Sequence, residues 1–202
     1  MTILALVGWL VFLLLAFVLR SVMQYLSTGK TGFVGVRGQP LSAAWWGGLL
    51  FVVATMGSPI ACGLDLLGLL SRCSFLTTPW WQRLAFALYG FGLLGTLWAQ
   101  VTMGASWRIG VDPSAKTQLV THGPFAWVRN PIFTCMMLLA FGLAILVPNW
   151  VSWLSVLALW VGLQIQVRIV EEPYLLRTHS DSYRRYAQAT GRFVPGLGRL
   201  HS

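Results

Sequence analysis

Along this chain, long apolar runs without charge alternate with short polar stretches that carry nearly every ionisable side chain. Residues 2–19, 39–64, 84–107 and 132–167 contain no Asp, Glu, Lys or Arg. A bilayer crossing needs roughly 17–25 such residues. The last run is too long for one crossing, and Pro148-Asn149 divides it into two halves, each long enough for one. The pattern predicts an all-α polytopic membrane protein with about five transmembrane helices. The second is expected to kink or end near Pro59, and the fourth and fifth to form a tight helical hairpin. A polar C-terminal helical segment follows. The first run reads as a transmembrane helix and not a signal peptide, because no basic residue precedes it and Arg20 follows it. We treat residues 1–202 as one integral membrane domain, with N-terminal spans over 1–83 and a core over 84–202.

Composition agrees with the pattern. Hydrophobic residues make up 56% of the chain and charged residues 9%, against about 25% charged in an average soluble domain. A soluble fold of this length would expose large apolar patches. The net charge of +9 could suit nucleic acid, but its distribution excludes that class of partner. Arg20, Lys30, Arg37, Arg108, Lys116 and Arg129, with Arg168 and every later basic residue, fall in segments on one side of the predicted membrane. Only Arg72 and Arg83 fall on the other. This bias places the N-terminus outside and the C-terminus in the cytoplasm. Cys62, Cys73 and Cys135 have neither CxxC nor metal-ligand spacing and read as small membrane-embedded side chains, with no metal expected. Gly95 with Ala99, and Ala140 with Ala144, read as helix-packing pairs. Trp45-Trp46 and Trp80-Trp81 read as interfacial anchors.

Candidate chemistry lies in two stretches on the predicted cytoplasmic side, residues 116–133 and 167–195. Polar groups beside apolar spans commonly mark function. A hairpin of the fourth and fifth spans brings Arg129-Asn130-Pro131 beside Glu171-Glu172. Two readings stay open on these residues alone. In one, Arg129 forks onto the carboxylate of a zwitterionic ligand and a glutamate takes its ammonium or a ribose hydroxyl. Phe125, Trp127, Phe133, Tyr183 and Tyr186 would then stack on a base or face a sulfonium. In the other, the charges are a salt bridge that clamps the hairpin and the aromatics form an interface belt.

The ordered blocks LVTHGPFAWVRNPIF, EEPYLL, YRRY and GRFVP, across residues 100–197, resemble the isoprenylcysteine carboxyl methyltransferase and phospholipid methyltransferase superfamily. The resemblance implies an integral membrane enzyme that uses S-adenosylmethionine, with membrane lipids around it and a lipid-like or amphipathic acceptor. It places Thr117, Gln118, Leu119, Val120 and Phe125 in the cofactor wall, with Arg129 beside them. Asn130, Pro131 and Phe133 fall on the family's His-Pro-x-Tyr positions, and Glu171 on the first glutamate of its pair. Asn130 replaces the histidine and cannot titrate near neutral pH, and Phe133 replaces the tyrosine. The carboxyl methyltransferases carry an arginine four residues before that glutamate. Here the position is Val167, with Arg168 one residue, or about 100° of helix, further along.

For the reaction, Arg108 and Arg168 are candidates to orient an anionic acceptor, and Glu172 or His122 to take a proton from an amine. A carboxylate or thiolate acceptor needs no base. Two other classes remain alternatives: an NADPH-dependent, sterol-reductase-like membrane enzyme, and a non-catalytic membrane scaffold of the same fold.

Overall fold

The computed structural model describes residues 1–32, 35, 39–108 and 118–200; Arg37, Gly38, Lys116 and Thr117 lie outside the described residues. The helices are α1 (Thr2–Leu13), α2 (Arg20–Thr28), α3 (Ala43–Leu66), α4 (Pro79–Met103), α5 (Pro131–Leu146), α6 (Trp150–Ile165) and α7 (Glu172–Ala189). Wide π turns at Leu14–Leu19 and Gln166–Glu171 join α1 to α2 and α6 to α7 without a break. Four helices are long and apolar enough to cross a bilayer: Thr2–Thr28, Ala43–Leu66, Pro79–Ser106 and Trp150–Ala189. The shorter apolar helix Pro131–Leu146 completes the bundle. No strand occurs among the described residues, and the chain is an all-α polytopic membrane fold.

Each helix boundary has a local cause. Ser42 caps α3 by accepting the Trp45 N–H at 3.3 Å. Pro79 and Pro131 open α4 and α5, where a missing N–H leaves no bond unmade. Pro148-Asn149 makes the expected turn between α5 and α6, and Asn149 then caps α6 by accepting the Ser152 N–H at 3.0 Å. Its amide also donates to the Ala61 carbonyl of α3 at 3.2 Å, which ties the turn to a neighbouring span.

Two expectations about the spans are corrected. First, α3 does not end at Pro59 but runs on to Leu66. Proline frees the carbonyl four residues earlier, that of Thr55, and the Trp9 indole of α1 donates to it at 2.9 Å. Second, the first helix does not stop at Arg20. That side chain is buried, donates to the Gly104 carbonyl at 2.5 Å and stacks 4.8 Å over Trp107, so its charge marks the rim and not the helix end.

The hairpin is also splayed along its length. Helix α5 packs chiefly on α4, and α6 on α3. Glycines set both seams. A Cβ at Gly92 would lie 2.6 Å from the Cys135 carbonyl, and one at Gly57 would lie 1.9 Å from Ser155 Oγ. Such close seams suit association in lipid, where small residues let backbones approach. On the rim that holds the N-terminus, Arg72 donates to Asp65 Oδ1 at 2.6 Å and the Thr2 hydroxyl donates to Asp65 Oδ2 at 2.5 Å. The opposite rim carries Arg20, residues 118–131 and α7 with its tail.

Candidate active site

At this second rim the chain makes a compact turn before α5. Gly123 takes φ +59 and starts a short 3-10 helix, Gly123–Ala126. Pro131 then keeps Asn130 out of helical geometry, at φ −125 and ψ 57. Between them, residues 128–131 lie against the C-terminal tail. The Arg129 N–H donates to the Gly191 carbonyl at 2.8 Å, and the Asn130 N–H to the Arg192 carbonyl at 3.1 Å. The Asn130 side-chain amide donates to that same carbonyl at 3.0 Å, and the Thr134 hydroxyl to the Phe193 carbonyl at 2.8 Å.

The side chain of Arg129 locks this seam. It donates to the carbonyls of Ala187 and Thr190, to that of Gly198 at 3.0 Å and to Glu172 Oε1 at 2.6 Å. Arg192 closes on the same carboxylate, with Nε on Oε1 and Nη2 on Oε2, both at 2.8 Å. Those bonds hold the Arg192 guanidinium pKa above its ordinary range. Side-chain exposure is 1% at Arg129 and 7% at Glu172, so the pair is desolvated and depends on the bonds that Arg129 Nη1 and Nη2 and both Glu172 oxygens make; Arg129 Nε has no partner among the described residues. The expected juxtaposition across the hairpin is present. Arg129 meets Glu172, and most of its donors are spent on the fold.

Behind this clamp lies a cavity of about 430 Å³. That is within the span of small-molecule sites, about 300–1,000 Å³. Gln118, Leu119, Val120 and Phe125 line it from the loop, and Asn130, Pro131 and Phe133 from the start of α5. Arg129, Glu171, Glu172 and Arg108 also reach its wall. Consecutive residues on a helix point about 100° apart, and the two glutamates divide accordingly. Glu172 goes to the clamp. Glu171, on the π turn, accepts one hydrogen bond from Gln166 at 3.2 Å and has no ion pair among the described residues.

Arg168 and His122 are exposed and off the cavity lining. Val167, one residue before Arg168, is fully buried, so the one-residue offset turns the arginine away from the cavity. The sequence pattern gave no hint of the opposite wall. Leu13 precedes the first π turn and Phe17 lies within it, and Gly48, Phe51 and Met56 belong to α3. These apolar positions look like lipid-facing ones in sequence. The Gly47-Gly48 pair was the available signal, since a span that omits two side chains leaves room beside it.

Three comparisons bear on this geometry. Residues 80–182 match the model of the phospholipid methyltransferase family. The fold is similar to that of a eukaryotic intramembrane Ras methyltransferase, isoprenylcysteine carboxyl methyltransferase, with TM-score 0.55 and 23% identity over 77% of this chain and 51% of that one. A nickel-cobalt-cadmium resistance protein of Alcaligenes xylosoxydans xylosoxydans is 30% identical over 117 residues, 57% of this chain and 54% of its own length. A cobalt-zinc-cadmium resistance protein of Cupriavidus metallidurans is 30% identical over 111 residues, 54% of this chain and 50% of its own. The chain thus spans about half the length of the curated relatives it matches.

Proposed function

Because this chain belongs to the phospholipid methyltransferase family, we propose that it transfers a methyl group from S-adenosylmethionine to a lipid-like or amphipathic acceptor at its basic rim. We place that rim in the cytoplasm and the N-terminus outside, from the charge bias. The observation that carries the reading is the mixed lining of the cavity. The motif residues Gln118, Phe125, Asn130 and Glu171 reach it together with apolar side chains from the first two spans. A polar cofactor and an apolar acceptor can meet there away from water.

The donor set fits the cofactor. Glu171 offers a carboxylate without an ion pair among the described residues, suited to an ammonium or to ribose hydroxyls. Phe125 and Tyr183 offer ring faces at the same wall. When bound, S-adenosylmethionine supplies an electrophilic methyl group on a positively charged sulfonium. The work of the chain is then to align the partners and keep water out, and such positioning can account for much of a rate enhancement. Arg108 faces the acceptor's polar head. Glu172 is held by two arginines and serves as a positioning residue for the wall, which favours an acceptor that attacks as an anion or arrives already deprotonated. The names of the two bacterial relatives concern metal resistance. Among the described residues no group of three or more His, Cys, Asp or Glu is placed to hold a metal ion, so we propose no metal site.

The test is calorimetric titration of S-adenosylmethionine into detergent-solubilised protein. Glu171→Ala is expected to weaken binding at least about tenfold, equivalent to about 1.4 kcal/mol. Unchanged affinity would sink the assignment. A thermal-shift comparison with NADPH separates the reductase alternative, and no saturable binding of either would point to the scaffold.

A further inference from the structure

The large cavity has a second, smaller pocket behind its apolar wall. Met136 and Thr55 line both spaces, and beyond them lies a pocket of about 30 Å³ bounded by Phe12, Ala54, Ala140 and Leu143, among others. Of the three polar side chains in its lining, Trp9, Thr55 and Ser58, the first two are engaged elsewhere. The Thr55 hydroxyl donates to the Phe51 carbonyl at 2.8 Å, and the Trp9 indole N–H to the Thr55 carbonyl. A buried water needs roughly two to four polar partners, and this pocket offers few. The pocket is partly open, and Met136, only 6% exposed, stands between it and the large cavity. Methionine is unbranched, has three rotatable side-chain bonds and fills irregular space adaptably.

We infer that Met136 sets how deeply the apolar chain of the acceptor enters. The inference rests on the methyl-transfer reading and narrows its substrate class to an amphiphile that inserts one straight alkyl chain. The head stays at the end lined by Arg108 and Glu171. The chain runs past Phe17 and Phe51 and stops against Met136, and its terminal methyl takes the small pocket when Met136 swings aside. The cavity of about 430 Å³ has to hold this chain beside a nucleoside cofactor.

The test uses the full chain in amphipol, which brings no detergent alkyl chains. Two parallel equimolar mixtures are offered, straight-chain 1-alkylamines and straight-chain fatty carboxylates of graded length, and native mass spectrometry reads which lengths are retained. Binding of S-adenosylmethionine is titrated on the same preparations. The wild type is expected to show a length cut-off. Met136→Ala should move it to longer chains, and adding Ala140→Leu, which fills the small pocket, should move it back. Met136→Leu keeps the core volume while removing the flexible thioether, and should move the cut-off to shorter chains. An identical length distribution in wild type, Met136→Ala and Met136→Leu would overturn the inference, as would retention of neither series. If the cut-off shifts as stated but S-adenosylmethionine does not bind, the depth assignment stands and the methyl-transfer reading fails instead.

Discussion

Removing the Glu172 carboxylate tests the clamp most directly. Glu172→Ala leaves the Arg129 guanidinium, whose side chain is 1% exposed, without a counter-charge in a desolvated seam. Breaking a buried ion pair from one side costs about 3–5 kcal/mol. Arg192→Ala is the comparison. It removes two hydrogen bonds to a charged group but leaves Arg129 paired, and the lost side chain is itself 15% exposed. Its expected cost is lower, about 1–3 kcal/mol. Reversible unfolding in mixed micelles measures both. Hydrogen exchange localises the effect, because the Arg129 and Asn130 amides bond to the tail carbonyls of Gly191 and Arg192. Those amides should lose protection in Glu172→Ala while amides in the middle of α4 keep theirs. Combining Glu172→Ala with Arg129→Met removes the orphaned charge and should recover part of the loss. The reasoning fails if Arg192→Ala costs as much as Glu172→Ala, or if Glu172→Ala stays within about 0.5 kcal/mol of wild type, the range of an ordinary surface change.

Two further outcomes follow from the helix seams. Gly92→Ala would drive a Cβ to 2.6 Å from both the Cys135 carbonyl oxygen and the Leu139 nitrogen. It should therefore cost about 1–3 kcal/mol in thermal unfolding, whereas Gly63→Ala, with nothing within 4 Å, should be neutral or stabilising by up to about 1 kcal/mol. Equal effects of the two would contradict the packing described. Trp9→Phe should cost about 1 kcal/mol by orphaning the Thr55 carbonyl that Pro59 frees, and a matched loss in a Pro59→Ala background would show that the indole does not serve that carbonyl.

Legibility in the sequence followed the physical source of each feature. Span number, the Pro148-Asn149 turn and the sorting of charge come from local composition, because lipid tolerates neither charge nor unpaired backbone, and these emerge in the fold. The facing of the loop before α5 and the two glutamates follows from connectivity once a hairpin is assumed. The clamp was only half visible. Arg129 and Glu172 can be paired by topology, but the carbonyls of Ala187, Thr190 and Gly198 that also hold Arg129 have no side-chain signature. The π turns were invisible for a related reason. Helices that face lipid on one side and apolar core on the other show little periodicity, so an inserted residue leaves no phase error to detect. The rescue of Pro59 by Trp9 joins residues far apart on different helices, and single-helix rules predicted a kink or an end there.

The adjacent glutamates show how the fold and the site depend on one another. On one helix face they would compete for the same arginines, and two carboxylates would share one environment. Their angular offset lets Glu172 neutralise Arg129 and Arg192 and hold the tail, while Glu171 keeps a carboxylate at the cavity with only Gln166 attached. The same offset accounts for Arg168. A basic side chain one residue after buried Val167 turns outward on the same π turn that carries Glu171. Asn130 extends the logic, since its amide bonds the Arg192 carbonyl that its own N–H also bonds. The Asn130 side chain and N–H thus both serve the seam with the tail, while Glu171, Phe125 and Gln118 line the cavity.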